Sequence, residues 1–288
     1  MINKKILILG HKAYISLGLI EKLQREGFQV TCFSRGEKQR ENNIITGNVF
    51  ALASNNLFDD HYDVVINFIL LKDKGINENI QYVKSLTEFC ALKTVKRMIH
   101  ISSISVYAND EKQVNETTPI DNNIAGKGVY SSIKIDVDKY LLNLQNLTFE
   151  LCFVRPGFVV SDVLKSSWAG IAIQLPLNYC LLLGDKKTSL PLIDRDVLHT
   201  ALVNIVKSNQ LMDVYLLLKN DRGTKYQYVN EKFNRRVIPL SKSLVLFAAS
   251  TLKFIKVLDS NKYQKISGLF KDTYFDSSKS EEVLSIKF

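Results

Sequence analysis

Tyr130-Ser-Ser-Ile-Lys134 lies downstream of a hydroxyl-rich run, Ile101-Ser-Ser-Ile-Ser-Val-Tyr107. Residues four apart share one face of a helix, so Lys134 can hold its ammonium near the Tyr130 phenol. A neighbouring cation favours phenolate and draws a phenol pKa down from about 10 toward the working range. That is the chemistry of a general acid or base. Spacing alone does not single out this pair, because Tyr215/Lys219 and Tyr228/Lys232 share it. Position does: Tyr130 starts an amphipathic helix that follows a serine-ended strand.

A second constellation suits phosphate. After an apolar run the chain reads Gly10-His-Lys-Ala13-Tyr14-Ile15-Ser16-Leu-Gly18. A turn that cradles pyrophosphate needs small residues where backbone approaches phosphate and where helix approaches strand. Gly10, Ala13 and Ser16 supply them, although a plain strand-to-helix turn reads the same way. The next strand ends Phe33-Ser34-Arg35-Gly36 without an acid. In dinucleotide-binding sheets an acid there bonds the adenosine ribose, whereas an arginine accommodates a 2′-phosphate. Ser34 and Arg35 therefore favour NADP(H), with NAD(H) the alternative and a surface arginine the plainer reading.

These groups need a parallel sheet to position them. Lys5–Leu9 reads as a buried strand and Leu17–Arg25 as its helix, followed by strands at Phe28–Phe33, Asn43–Gly47 and Asp63–Phe68. Asn79–Leu92 reads as a helix, Arg97–Ser102 as a strand, Val129–Leu144 as a long helix and Phe149–Val154 as a sixth strand. The alternation predicts an α/β, Rossmann-type, doubly wound parallel sheet. From about residue 160 the pattern loosens around Pro176 and Pro191. The expected division is a dinucleotide-binding domain over 1–160 and a smaller C-terminal α+β substrate lobe over 161–288, with segments of the lobe returning to the sheet.

Hydrophobic residues make up 46% of the 288 and charged residues 23%, an ordinary globular composition that excludes a disordered or collagen-like chain. No apolar run approaches the ~20 residues of a membrane span, and the N-terminus lacks a signal-peptide core. A cytoplasmic location is expected, with no metal site, since Cys32, Cys90, Cys152 and Cys180 have neither C-x-x-C spacing nor histidine partners. Of the net charge of +9, residues 217–288 carry +7, from fourteen Lys and Arg against seven Asp and Glu. That excess suits an anionic ligand, an acidic membrane surface or a solvated face. Leu244–Leu258 is the segment where membrane docking through Lys253 and Lys256 competes with burial in the lobe, and burial is the expectation. Arg235 and Arg236 are placed to meet a diphosphate.

The chain resembles the extended short-chain dehydrogenase/reductases of the NAD-dependent epimerase/dehydratase family. The resemblance rests on the Gly10/Ala13/Ser16 turn, Asp63-Val-Val-Ile-Asn67, Val95–Tyr107, Tyr130/Lys134, Phe153-Val-Arg-Pro-Gly157, Ile193-Asp-Arg-Asp196 and Phe275-Asp-Ser-Ser-Lys279. It implies that Tyr130 moves a proton at a sugar hydroxyl or carbonyl, that Ser103 bonds the same oxygen, and that Lys134 binds the nicotinamide ribose. It also places Pro156 against the nicotinamide carboxamide and Asn48-Val49 against adenine. Ala13 and Ser16 replace two family glycines, and Asn67-Phe-Ile-Leu70 puts bulk beside the cofactor. Glu116 reads as a loop-ordering carboxylate, with substrate positioning as the alternative. His100 reads as packing.

The function this resemblance implies is an NADP(H)-dependent reductase of a nucleotide-activated 4-keto sugar. A nucleotide-sugar 4-epimerase with bound NAD is the alternative, and a non-catalytic NAD(P)-sensing regulator is a second. The expected partner is a nucleotide sugar, not nucleic acid. Any homodimer is expected to pair the helices at 79–92 and 129–144.

Overall fold

The computed structural model describes residues 4–108, 110–124, 127–161, 172–182, 186, 190–219, 224–233, 236–254 and 273–288. Its first strand explains the architecture. β1 (Lys5–Leu9) is apolar along almost its whole length because both faces are covered, as in parallel sheets flanked by helices. Ile6 and Ile8 enter one core, with Leu19 and Leu23 of α1 (Leu19–Arg25). Leu7 and Leu9 enter the other, with Phe33, Phe58 and Phe89.

The strands that follow are β2 (Gln29–Arg35), β3 (Gln39–Glu41), β4 (Ile44–Gly47) and β5 (Val64–Asn67). Next come α2 (Ile76–Leu92), β6 (Arg97–Ile101), β7 (Gln113–Val114), α3 (Val129–Leu142) and β8 (Glu150–Pro156). β9 (Phe158–Val160), β10 (Ala172–Gln174), β11 (Tyr179–Leu182) and β12 (Leu192–Asp194) precede α4 (Arg195–Lys207) and β13 (Val214–Leu217). The chain closes with α5 (Lys225–Phe233), β14 (Arg236–Pro239), α6 (Lys242–Phe254), β15 (Tyr274–Phe275) and α7 (Ser278–Leu284).

One eight-stranded sheet runs in the order β13-β8-β6-β5-β1-β2-β4-β3. All neighbours are parallel except the short β3, which the alternation of sequence pattern did not predict and which lies antiparallel on β4. From β1 the chain first builds outward through β2 and then returns to build through β5. The crevice beyond the carboxyl ends of β1 and β5 is thus the switch point where open sheets bind ligands.

Residues beyond 160 divide their contacts. β13 pairs with β8 in the main sheet, and α4 packs its Leu198, Leu202 and Val206 into the core that holds α1. A separate three-stranded sheet, β10-β11-β14, carries Cys180 and Leu182 against Val229 of α5. The four cysteines are buried free thiols. No helix among the described residues is long and apolar enough to cross a membrane. The expectation that α6 is buried needs correcting for its described side chains: Leu244, Phe247 and Phe254 are exposed, whereas Ala249 is buried. Lys256 and Arg235 lie outside the described residues.

Candidate active site

α3 is fixed from two sides before it contributes chemistry. Ile133, Val137 and Leu141 pack with Tyr82, Val83 and Leu86 of α2, and each such burial stabilises by about 1.5–3 kcal/mol. Ile135 packs on the other flank with Val106, Leu216 and Leu218. The remaining stripe carries Tyr130, Lys134 and Asp138 toward the carboxyl end of β6.

Ser103 leaves β6 with extended backbone and caps the turn Ile104–Val106, its Oγ accepting from Ser105 N at 3.1 Å. Tyr130 as a whole residue is 44% exposed. Protein around its hydroxyl nevertheless raises the phenol pKa; the Ser103 hydroxyl bonded to it lowers it, and the Asp138 charge raises it further. The net direction is upward, which corrects the expectation that Lys134 draws this phenol down. Tyr130 is a protonated donor at neutral pH.

Lys134 is 4% exposed, and its Nζ donates to the Ile101 carbonyl at 2.5 Å. Burial pushes the ammonium down to about 8; Asp138 opposes that shift and Lys72 adds to it. Lys72, in the loop after β5, thus adds its positive charge to the surroundings of Lys134. Sequence reasoning passed over it, although a lysine in a strand-end loop at a switch point was the available signal.

The first turn also takes shape around its small residues. Gly10 has φ +85°, and a Cβ there would meet Ile69 Cγ1 at 3.0 Å. The bulk of the Asn67-Phe-Ile-Leu70 segment thus lies directly on the turn. Gly10 N donates to Phe33 O at 2.8 Å, tying the turn to β2. Ala13 N and the Ser16 hydroxyl both donate to the Gly10 carbonyl, at 2.9 and 3.1 Å. His199 Nε2 donates to the Ile15 carbonyl at 2.8 Å, and Arg195 stacks on Tyr14. Among the described residues no acceptor pairs with the Tyr14 or Ile15 N–H. Free N–H groups opening a helical turn form an anion site, so this donor set fits a dinucleotide pyrophosphate.

At the end of β2, the Ser34 hydroxyl is buried without a hydrogen-bond partner, whereas Arg35 is exposed and paired with Asp73. The Asn48 side chain caps the turn Val49–Ala51 by accepting from Phe50 N, and Val49 is buried. Pro156 is buried at the end of β8. The following Gly157 is packed so closely that a Cβ would sit 2.3 Å from the Pro191 carbonyl. Arg236 is exposed in β14 and bonds the Tyr179 hydroxyl at 3.2 Å. Glu116 accepts from Ser280 N at 2.9 Å and Ser280 Oγ at 2.6 Å, tying its loop to α7. No cluster among the described residues has the makings of a metal site.

Comparison with known proteins follows this geometry. The sequence model of the NAD dependent epimerase/dehydratase family matches residues 6–167. No curated protein sequence gives a significant match. Among solved structures, a human epimerase family protein, SDR39U1 (isoform 2) with NADPH, superposes with TM-score 0.65 at 16% identity, covering 97% of this chain and 93% of its own. UDP-N-acetylglucosamine 4-epimerase from Bacillus cereus gives 0.67 at 13%, covering 99% and 93%. MoeE5 in complex with UDP-glucose and NAD gives 0.69 at 15%, covering 98% and 93%. At these identities the likeness is one of fold.

Proposed function

The chain belongs to the NAD dependent epimerase/dehydratase family, and from that premise we propose that it is an NADP(H)-dependent reductase of a nucleotide-activated 4-keto sugar. The observation that carries the choice is the end of β2, where Arg35 stands and no acid does. An arginine at this place accommodates a 2′-phosphate. The similar structures lend support, since one is described with NADPH and others act on or hold nucleotide sugars.

The bound nicotinamide supplies hydride to a sugar carbon. The protein's part is at the oxygen. Tyr130, protonated at neutral pH, donates to the carbonyl oxygen as it gains charge, and Ser103 bonds the same atom. Lys134 would hold the nicotinamide ribose, and Pro156 would meet the carboxamide. The N–H groups of Tyr14 and Ile15 in the Gly10–Ser16 turn hold pyrophosphate, while Asn48 and Val49 flank adenine.

The Asp73 carboxylate on Arg35 favours the second reading, a 4-epimerase that keeps NAD bound through turnover. A cofactor-sensing regulator is disfavoured by Ser103, Tyr130 and Lys134 all being in place. The test is binding of NADPH and NADH by fluorescence and thermal shift, followed by NADPH consumption with nucleotide 4-keto sugars. Tighter binding of NADH than NADPH, or sugar interconversion without net cofactor consumption, overturns the reductase.

A further inference from the structure

Beneath the site lies a buried polar chain that the proposed chemistry does not use. The Tyr82 hydroxyl donates to Asn67 Oδ1 at 2.6 Å, and Asn67 Nδ2 donates to His100 Nδ1 at 3.1 Å. That bond makes His100 Nδ1 the acceptor, so the neutral ring carries its proton on Nε2. Nε2 faces Asp138 Oδ1 at 3.6 Å, too far for a hydrogen bond, and both atoms are buried without a partner. Asp138 Oδ2, by contrast, accepts from Ser102 Oγ at 2.7 Å and from Arg155 Nη2 at 3.2 Å. Arg155 in turn donates to the Tyr107 hydroxyl at 3.1 Å and lies over the Tyr107 and Phe153 rings.

Asp138 stands one helical turn after Lys134, and consecutive residues of the β6 end anchor the two: Ile101 O takes the ammonium and Ser102 the carboxylate. Both side chains are buried. We propose that Asp138 is a positioning residue, the buried counter-charge that holds the Lys134 ammonium in place one turn below Tyr130. This rests on the reading of Lys134 as the residue that meets the cofactor ribose.

The surroundings leave few other candidates for that role. The charged and titratable groups around Lys134 are Tyr130 and Asp138 one turn either way along α3, His100 and Arg155 against the Asp138 carboxylate, and Lys72 in the loop after β5. Tyr130 is a neutral phenol, and burial with the nearby Lys134 and Arg155 charges holds His100 neutral. Lys72 and Arg155 are cations. Asp138 is the one carboxylate among these groups: burial raises its pKa, while Arg155, the Ser102 hydroxyl and Lys134 oppose that shift, and among the described residues its Oδ1 accepts no hydrogen bond.

The test is direct titration of Lys134 in cofactor-free protein, by NMR of lysine Cε carbons with the resonance assigned by its loss in Lys134→Met. The wild-type midpoint is expected near 8. Asp138→Asn is expected to lower it by about one unit, the size of effect an opposite charge a few ångströms away exerts. Asp138→Glu, which keeps the charge, is expected to stay near wild type. Because Asp138→Asn strands a buried Arg155, the variant Asp138→Asn/Arg155→Gln is read against Arg155→Gln alone and is expected to show the same drop. In turnover assays the alkaline limb of kcat/KM moves with the midpoint, whereas a merely structural role lowers kcat and leaves the limb in place. An unchanged Lys134 midpoint in Asp138→Asn against wild type, or in the double variant against Arg155→Gln, overturns the proposal. A shifted midpoint in a protein that turns over no nucleotide sugar upholds it and overturns the reductase reading instead.

Discussion

The Arg35 guanidinium is held by the Asp73 carboxylate, with Nη1 2.9 Å from Oδ1 and 3.1 Å from Oδ2. Arg35 ends β2 and Asp73 lies in the loop after β5, the two strands that flank β1, so the pair spans the crevice where the proposed function puts the adenosine ribose. Asp73 there offers Arg35 the same kind of partner as a 2′-phosphate. Both side chains are more than half exposed, and exposed pairs are weak and salt-sensitive. Asp73→Asn is therefore expected to strengthen NADPH binding about two- to five-fold, more at low salt, with Arg35→Ala cancelling the gain. Arg35→Asp is expected to turn preference toward NADH; it is a better variant than Ser34→Asp, which buries a carboxylate where the serine hydroxyl has no partner. Titration of cofactor fluorescence checks both, and an Asp73→Asn protein with wild-type NADPH affinity removes Arg35 from the 2′-phosphate.

Tyr130→Phe is expected to lower turnover about 10²–10⁴-fold, the usual worth of general acid–base help, while cofactor affinity stays within a few-fold. Burial holds the phenol above its ordinary range, so the proton donor is intact across neutral pH. In the reductive direction the rate is then insensitive to Tyr130 ionisation between pH 6 and 8, as flagged by a phenol pKa of about 10 before any upward shift. In the oxidative direction, which needs the phenolate, the rate climbs with pH over that range. Initial rates in both directions decide it, and retained activity in the Phe variant sinks the assignment.

Gly157→Ala is expected to destabilise the protein by about 1–3 kcal/mol, the range for overpacking. A Cβ at this position would overlap the Pro191 carbonyl, which already accepts from Phe158 N at 2.7 Å and cannot retreat without breaking that bond. Urea unfolding measures the loss. A neutral result means the β8–β9 corner relaxes more freely than its hydrogen bond implies.

Glu116→Ala removes the acceptor of two hydrogen bonds from Ser280, leaving a buried N–H and hydroxyl to find other partners. The expected cost is about 1–3 kcal/mol in unfolding free energy, with cofactor affinity unchanged. A stable variant that loses KM for substrate instead assigns Glu116 to substrate positioning.

The sequence by itself settled the alternation of strand and helix, since periodicity and β-branched runs report which faces are buried. It also marked Tyr130 and Lys134, because an i, i+4 pair on a helix is a local fact. Even the smallness of Gly10, Ala13 and Ser16 was legible, as turn sterics act within a few residues. What it could not convey was set by contacts between distant segments. That Arg35 is engaged depends on Asp73 arriving from the loop beyond β5. The upward direction at Tyr130 follows from burial around its hydroxyl, which outweighs the Ser103 hydrogen bond, with Asp138 adding to it, whereas spacing alone had suggested that Lys134 would dominate. His100 is packed against Phe153, as its place in a strand suggested, and its hydrogen bond in the chain from Tyr82 through Asn67 was not legible beforehand. Hydrogen bonding and desolvation are sums over neighbours brought together by the sheet, so charge states and partners in this site belong to the tertiary structure, while the identity of the helix that carries them was already written in the local pattern.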